Sequence, residues 1–437
     1  ALSCAASALA LWLFDLQGQL MDSSLLLLFL TSWAEFAVRW LHVITAIAWI
    51  GSSFYFIALD LGLRKHDRLP VGAAGEEWQV HGGGFYHIQK YLVAPENLPE
   101  HLTWFKWESY ATWLSGFALL AIVYYGGAEL YLINADKAEL SPALAIAISI
   151  ASLVLVWVFY SALCRSKLGQ NPTMLMLILY LLLVGLSYFY HQIFTGRAAF
   201  IHLGAVTATI MSANVFMVII PNQKIVVADL KAGRTPDAKY GQIAKLRSTH
   251  NNYLTLPVIF LMLSNHYPLA FATDYSWVIA SLVFLMGVTI RHYFNSRHAN
   301  TGNPRWTWLA TAAIFVVIMG LSLAPLWHDK TQETASADSA SLTLSPEMQK
   351  KASHPLFEEV SEIVAGRCSM CHAAEPLWEG ILTAPKNVYL ESPADILAQA
   401  EAIVLQSALS HAMPPANITY METSERALIQ RWYKDSH

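Results

Sequence analysis

Cys368, Cys371 and His372, in the run Cys-Ser-Met-Cys-His, carry the most specific chemistry in this sequence. Two thiols separated by two residues and followed at once by an imidazole form the pattern that attaches a c-type haem. The thiols add to the haem vinyl groups, and the histidine supplies one axial iron ligand. Met413, between Ala412 and the stiff pair Pro414-Pro415, is the expected second ligand. A thioether in that position raises the reduction potential and closes the iron to oxygen, as an electron carrier requires. The competing readings are a zinc or redox dithiol for the cysteines and an ordinary core methionine for Met413. With only four cysteines in the chain, a chance match to the haem pattern is uncommon.

A second set of reactive side chains lies among apolar residues. His42, His191, His202 and His266 fall near one end of the apolar stretches, and His81, His87, His101, His250 and His292 near the other. Ionisable groups at such depth are costly, so each invites a functional reading. Opposed imidazoles on neighbouring helices can hold a haem b; His42 with His202 is the expected pair, and His191 the substitute. A helix cap or a bond to a backbone carbonyl is the plainer account of each.

The other layer is richer in polar groups. Arg247-Ser248-Thr249-His250-Asn251-Asn252-Tyr253 gathers a cation, two amides and an imidazole at what reads as a helix entrance. Glu108 and Arg291-His292 are expected to face the same cavity. In the segment His81–His87, three glycines would let the backbone approach a ligand closely. A flat anionic heterocycle suits such a place: the guanidinium for charge, the amides for paired donor and acceptor edges, aromatics for stacking. Caps and headgroup contacts would explain Thr249, Asn251 and Arg247 without any ligand.

The elements that must position these residues are membrane helices. The 437-residue chain is 55% hydrophobic and only 13% charged, against about a quarter charged in an ordinary soluble protein. Apolar runs of about twenty residues, enough to cross a bilayer, recur near 36–63, 109–133, 142–164, 172–194, 198–220, 253–271, 276–294 and 306–327. The expected fold is all-α: a polytopic membrane domain of about eight transmembrane helices and a C-terminal cytochrome c-like domain. Residues 1–34 read as an amino-terminal extension, 35–328 as the membrane domain, 329–353 as a flexible linker and 354–437 as the cytochrome domain. Lys and Arg concentrate in the loops of one side, leaving Arg39, Lys137, Arg197 and Lys330 on the other. Basic loops stay cytoplasmic, so the C-terminal domain is expected in a periplasm. A net charge of −4 without a basic stripe offers nothing to nucleic acid. Cys4 and Cys164, isolated among apolar residues, read as inert thiols.

Four blocks resemble a known family when taken together. They are Phe36-Ala-Val-Arg39-Trp-Leu-His42 through Trp49-Ile-Gly51-Ser-Ser-Phe54-Tyr55-Phe56, His81-Gly-Gly-Gly-Phe85-Tyr86, Trp104-Phe-Lys-Trp107-Glu108, and Thr249-His250-Asn251-Asn252-Tyr253. With a tethered C-terminal cytochrome c, they are similar to the bacterial membrane-bound, cytochrome c-linked urate oxidases (urate hydroxylases). The resemblance runs from about Glu35 to the end. It implies a multi-pass protein of the bacterial inner membrane that oxidises urate to 5-hydroxyisourate. Electrons would pass through covalent haem c to a soluble cytochrome c or a terminal oxidase, without direct formation of hydrogen peroxide. Within that frame His250 is the expected base, since imidazole titrates near neutrality. Arg247 is the expected anion clamp, with Glu108 and Asn251 as further site residues. A urate site on the cytoplasmic side would stand about 30 Å of hydrocarbon away from a periplasmic haem c. A haem b between them would bridge that gap.

Two rivals belong to other classes. A quinol–cytochrome c oxidoreductase would use the same haems but bind a lipid-soluble donor, for which an anion clamp has no purpose. A non-catalytic membrane anchor for a cytochrome c needs one or two helices and no buried histidines. The spacing Leu41-His42 to Trp49-x-Gly51 also resembles the first helix of membrane haem proteins of the porphyrinogen-oxidase type.

Overall fold

The computed structural model describes residues 23–91, 98–134, 137–323, 345–378, 381, 384–409 and 412–436. They divide into two compact units, one within Val38–Gln332 and one made from the described parts of Ala1–Ala37 and Glu333–His437.

The larger unit is mostly helical. After α1 (Ser23–Gly62), which belongs to this unit from Val38 onward, come a hairpin of β1 (Ala73–His81) and β2 (Gly84–Tyr91), then α2 (Trp107–Leu119). The helices α3 (Pro142–Arg165), α4 (Pro172–Ile193), α5 (Gly196–Ala213), α6 (Ile220–Lys231), α7 (Ala238–Leu263), α8 (Ser276–His298) and α9 (Trp306–Ser322) follow. Their starts are written locally. Ser141, Asn171 and Thr195 cap α3, α4 and α5 by accepting backbone N–H bonds from Leu144, Thr173 with Met174, and Ala198. Pro142 and Pro172 sit in the first turn, where no helical N–H bond is lost. The core they enclose is apolar and aromatic, with Tyr160, Leu179, Tyr190, Phe194, Ile210 and Val283 fully buried.

Five stretches are long and apolar enough to cross a bilayer: Leu26–Gly62, Pro142–Arg165, Pro172–Ile193, Gly196–Lys231 and Ser276–His298. The other three apolar runs take different forms. At 109–133 the chain widens after α2 into a π-helical turn at Leu120–Tyr125, breaks at Gly126-Gly127 and resumes as a second one at Ala128–Leu132. The run at 253–271 is the end of α7, whose first half is polar, followed by 3-10 turns at Ser264–His266 and Pro268–Ala270. The last, α9, has 17 residues.

The segment after α1 corrects the reading of its glycines as a ligand cradle. Trp78 pairs with His87, Val80 with Phe85, and His81 with Gly84, so Gly82 and Gly83 form a two-residue hairpin turn. Their φ values of +58° and +80° are what such a turn requires, and glycine reaches them without strain. The hairpin is tied to the end of α1. Arg64 and Glu76 exchange backbone hydrogen bonds of 2.9 Å, Tyr55 donates to Gln79 Oε1 at 2.6 Å, and Lys90 pairs with Asp60. His66 and His87 both donate to the Glu76 carboxylate, at 2.8 and 2.7 Å, and hold its pKa down at about 2.

The smaller unit contains α10 (Pro346–Ala352), α11 (Phe357–Arg367), α12 (Pro393–Ala398), α13 (Ala400–Ile403) and α14 (Thr423–Asp435). Trp432 on α14 is its fully buried centre. The ring stacks on Phe357 with centroids 5.7 Å apart, and its N–H donates to the Lys351 carbonyl at 3.1 Å. A pairing of this kind satisfies the one polar atom of a large apolar side chain.

Candidate functional site

Polar groups converge where α3, α5 and α7 meet. Immediately after α5 the helix widens into a π turn at Asn214–Ile219, a distortion that recurs at functional sites. Asn214, fully buried, lies at its start. It accepts from Arg247 Nη1 at 3.1 Å and donates through Nδ2 to the Tyr160 hydroxyl at 3.1 Å and to Asn251 Oδ1 at 2.9 Å. Asn251 in turn donates to the Met211 carbonyl at 2.9 Å. Tyr160 and His250 Nδ1 are 2.7 Å apart. The Arg247 guanidinium lies over the Tyr160 ring at 4.9 Å and the Trp157 ring at 5.9 Å.

The direction of the first bonds in this chain follows from its charged end. A guanidinium only donates, so Asn214 turns its oxygen to Arg247 and its NH2 group to Tyr160. The tyrosine oxygen accepts that bond, which leaves its own hydrogen available to His250 Nδ1. Where the hydroxyl donates, neutral His250 carries its proton on Nε2, an atom that is buried and has no partner among the described residues. The site presents a buried, unpartnered imidazole nitrogen beside a fixed cation.

Around this centre the sequence-expected residues sort themselves. His250 lies within α7 and not ahead of a helix. Glu108 stands in the first turn of α2, and its neighbour Ser109 meets Ser212 at 3.1 Å, one residue from the Met211 that holds Asn251. Glu108 thus belongs to the same layer, and its Oε2 is buried without a partner among the described residues. Arg291 donates to Asn252 at 3.2 Å and to Asn295 at 3.0 Å, and lies 4.3 Å from the Phe54 ring. His292 instead turns towards Trp306, and His101 is exposed. Tyr160, Trp157 and Asn214 are missed by reading the sequence. An amide in an otherwise apolar helix was the available signal for Asn214.

Nearer the other end, His202 on α5 is fully buried. Its Nδ1 lies 2.8 Å from the Ala198 carbonyl, which can only accept, so Nδ1 carries the hydrogen and Nε2 a lone pair. That lone pair has no partner among the described residues. The rings of Phe194, Tyr124 and Tyr190 surround it at 4.9, 5.6 and 5.9 Å. Tyr124 belongs to the π turn at Leu120–Tyr125 and donates to Asn265 at 3.2 Å, which also accepts from Arg197 at 2.9 Å.

His42 faces a different part of α2. Its Nδ1 donates to the Thr112 carbonyl at 3.0 Å, near Ser115 Oγ at 3.2 Å, and Gly116 makes the room: a Cβ there would stand 2.8 Å from the ring. The levels that His42 and His202 touch, Ser115 and Tyr124, are roughly 13 Å apart along the helix. The two histidines thus meet different parts of α2 and the π turn that follows it. Each alone offers an Nε2 lone pair. His191 closes α4 with Nδ1 2.8 Å from Ser276 Oγ, and its carbonyl accepts from Lys137 at 3.0 Å.

In the smaller unit Cys368, Cys371 and His372 form the turn that closes α11, where the His372 N–H donates to the Cys368 carbonyl at 3.0 Å. Both thiols are free, and burial pushes that of Cys368 up to about 11. His372 Nδ1 donates to the Val388 carbonyl at 2.9 Å, leaving an Nε2 lone pair in the form a metal ligand needs. Two free thiols at this spacing and an oriented imidazole fit covalent haem c. Met413 is fixed through its backbone: its N–H donates to Gln406 and its carbonyl accepts from buried Arg426, each at 2.9 Å. His411 lies outside the described residues. Among the described residues no three His, Cys, Asp or Glu side chains gather around one metal position.

No curated protein and no solved structure matches the chain. The family model for the urate oxidase N-terminal region does, over residues 28–322. That stretch holds α1 from Leu28 onward and the elements up to α9, with the Arg247–Asn214–Tyr160–His250 network and the His202 cage, and stops short of the Cys368–His372 turn. With the match covering more than half of its length, the chain belongs to the urate oxidase N-terminal family.

Proposed function

We propose that the chain oxidises urate at the Arg247–His250 layer and passes the electrons to haem c held by Cys368, Cys371 and His372, for delivery to a soluble cytochrome c or a terminal oxidase. The supporting observation is the buried, directional network from Arg247 to His250, lying inside the family-matched segment. Urate adds the oxygen of water and releases two protons and two electrons to become 5-hydroxyisourate, so hydrogen peroxide is not formed directly. Haem c supplies a one-electron acceptor.

The chain's own residues do the rest. Arg247 neutralises the urate anion, and Tyr160 and Trp157 keep its guanidinium in place. His250 donates its Nε2 hydrogen to an oxygen of the purine, where negative charge is strongest. Glu108, with a buried free carboxylate oxygen in the same layer, is then the better candidate to take a proton. Asn251, held by Asn214 and the Met211 carbonyl, keeps the first amide aligned. The expected multi-pass arrangement of eight helices in a bacterial inner membrane, with the domains at 35–328, 329–353 and 354–437 and the last in the periplasm, remains part of this proposal. So does a haem b in the membrane domain, with His42 and His202 as its expected ligands and His191 as the substitute.

The test is an anaerobic visible spectrum of the oxidised full-length protein before and after urate, with dithionite as the full-reduction control. Urate should raise the reduced c-type band. Reduction by dithionite alone would overturn the proposal and turn attention to quinols.

A further inference from the structure

We propose that the β1–β2 hairpin is an interfacial anchor whose outward face passes through the headgroup layer into the edge of the hydrocarbon of the bilayer that the helices cross. The inference rests on the membrane reading of the bundle, and not on urate as substrate.

Side chains of a strand alternate between two faces, and here the two differ in kind. One face is committed to α1: Gln79 binds Tyr55, Lys90 pairs with Asp60, and the Glu77 carboxylate lies against Gly62. The other carries Trp78, Val80 and Phe85, which are 63%, 68% and 76% exposed. The register makes them neighbours. Val80 stands opposite Phe85, and Trp78 opposite His87, whose ring stacks on the indole at 4.2 Å. A continuous apolar patch on a polar, tightly turned hairpin is unfavourable in water and marks a contact surface.

The attachment points say which surface. From Trp40 to Leu59, α1 has no Asp, Glu, Lys or Arg, and about twenty helical residues span the ~30 Å hydrocarbon layer. Asp60 therefore marks the edge of that layer. The hairpin is fastened beyond it, where Glu76 meets Arg64, and again inside it, where Gln79 meets Tyr55. Its strands run back along the helix towards the bilayer, and the tip with Val80 and Phe85 leads. The headgroup zone is only about 5–8 Å deep on each side, so a tip held level with Tyr55 must pass through it. Aromatic side chains partition to this zone, where an apolar ring and a polar edge are both satisfied. Exposed Arg64, Lys65 and Arg68 at the root of the hairpin are placed for lipid phosphates. The patch thus faces away from α1 at the depth of its apolar end, and lipid is its occupant.

Nitroxide labelling of the full-length protein in lipid nanodiscs tests this. In a Cys4→Ser, Cys164→Ser background, Val80→Cys is labelled, with Phe85→Cys as an independent second site. Leu155→Cys on the exposed flank of α3 serves as the lipid reference and His101→Cys as the aqueous one. Labels at 80 and 85 should collide with dioxygen in preference to a water-soluble nickel complex, as at 155, with the opposite preference at 101. Nickel access at 80 and 85 equal to that at 101, with 155 still lipid-like, overturns the anchor and leaves the membrane reading intact. Loss of both collisions with dipolar broadening between labels also overturns it, in favour of a second copy of the chain. Nickel access at 155 as well would remove the membrane reading itself.

Discussion

His250 and His202 are both buried imidazoles with an unpartnered Nε2, yet they present opposite chemistry. At His250 the surroundings are hydrogen-bonding groups, and the Tyr160 hydroxyl, itself held by Asn214, meets Nδ1; where that hydroxyl donates, the hydrogen stays on Nε2. At His202 the surroundings are aromatic faces, and the Ala198 carbonyl takes the Nδ1 hydrogen, leaving a lone pair. A donor beside a guanidinium suits an anion. A lone pair in an apolar cage suits a metal or a proton. Each region lies against a π-helical turn, Asn214–Ile219 in one case and Leu120–Tyr125 in the other. Asn214 opens the first and bonds the Tyr160 hydroxyl that meets His250; Tyr124 in the second packs edge-on against His202. An unmet polar atom at such depth costs about 1–3 kcal/mol, and two of them are retained. The comparison teaches that position in the bundle and residue type do not assign a role to a buried histidine; its nearest partner does.

Four substitutions would break or sharpen that contrast. Arg247→Ala removes the charged end of the inner network and leaves the Asn214 oxygen unpaired. A charged hydrogen bond of about 1.5–3 kcal/mol translates into a rise of roughly 10–150-fold in KM for urate, with the haem c spectrum unchanged. Equal damage to both readouts would show that Arg247 serves the fold. Tyr160→Phe deletes only the hydroxyl that fixes the His250 tautomer. Freed to hold its proton on either nitrogen, His250 should lose about tenfold in kcat, within the range of general acid–base contributions, with little change in KM. An unaltered kcat would refute the donor role.

Gly116→Ala places a methyl group 2.8 Å from the His42 ring, and overpacking of this sort costs about 1–3 kcal/mol. Thermal unfolding should register that loss while KM for urate stays put, since Gly116 touches neither network. His202→Phe is expected to have the smallest effect on urate: binding unchanged, because the cage lies outside the inner layer. If a b-type absorption band is present in the parent, this variant should lose it. A shift in urate KM matching that of Arg247→Ala would mean the two regions are one site.

Much of this was legible in order along the chain. Ser141-Pro142 and Asn171-Pro172 announce helix starts because capping is a matter of three or four consecutive residues. The haem-attachment pattern and the polar block at Arg247–Tyr253 are equally local. The apolar runs mark helical segments but not their limits. The run at 109–133 hides two π turns and a break, and α7 begins in polar sequence that reads as a loop. The glycines at 82–84 were visible, but a hairpin turn and a ligand cradle ask for the same backbone freedom, and only strand pairing separates them.

The amino-acid sequence by itself determined which groups are present, which segments are apolar enough for a membrane, and where thiols and an imidazole stand at haem-binding spacing. Tertiary structure alone decided what those groups can do. Tyr160 and His250 are 90 positions apart in the chain, and Arg247 and Asn214 are 33 apart. A hydrogen settles on one nitrogen of an imidazole or the other according to a partner within about 3 Å. Partners that close and that distant in sequence exist only once the helices have packed.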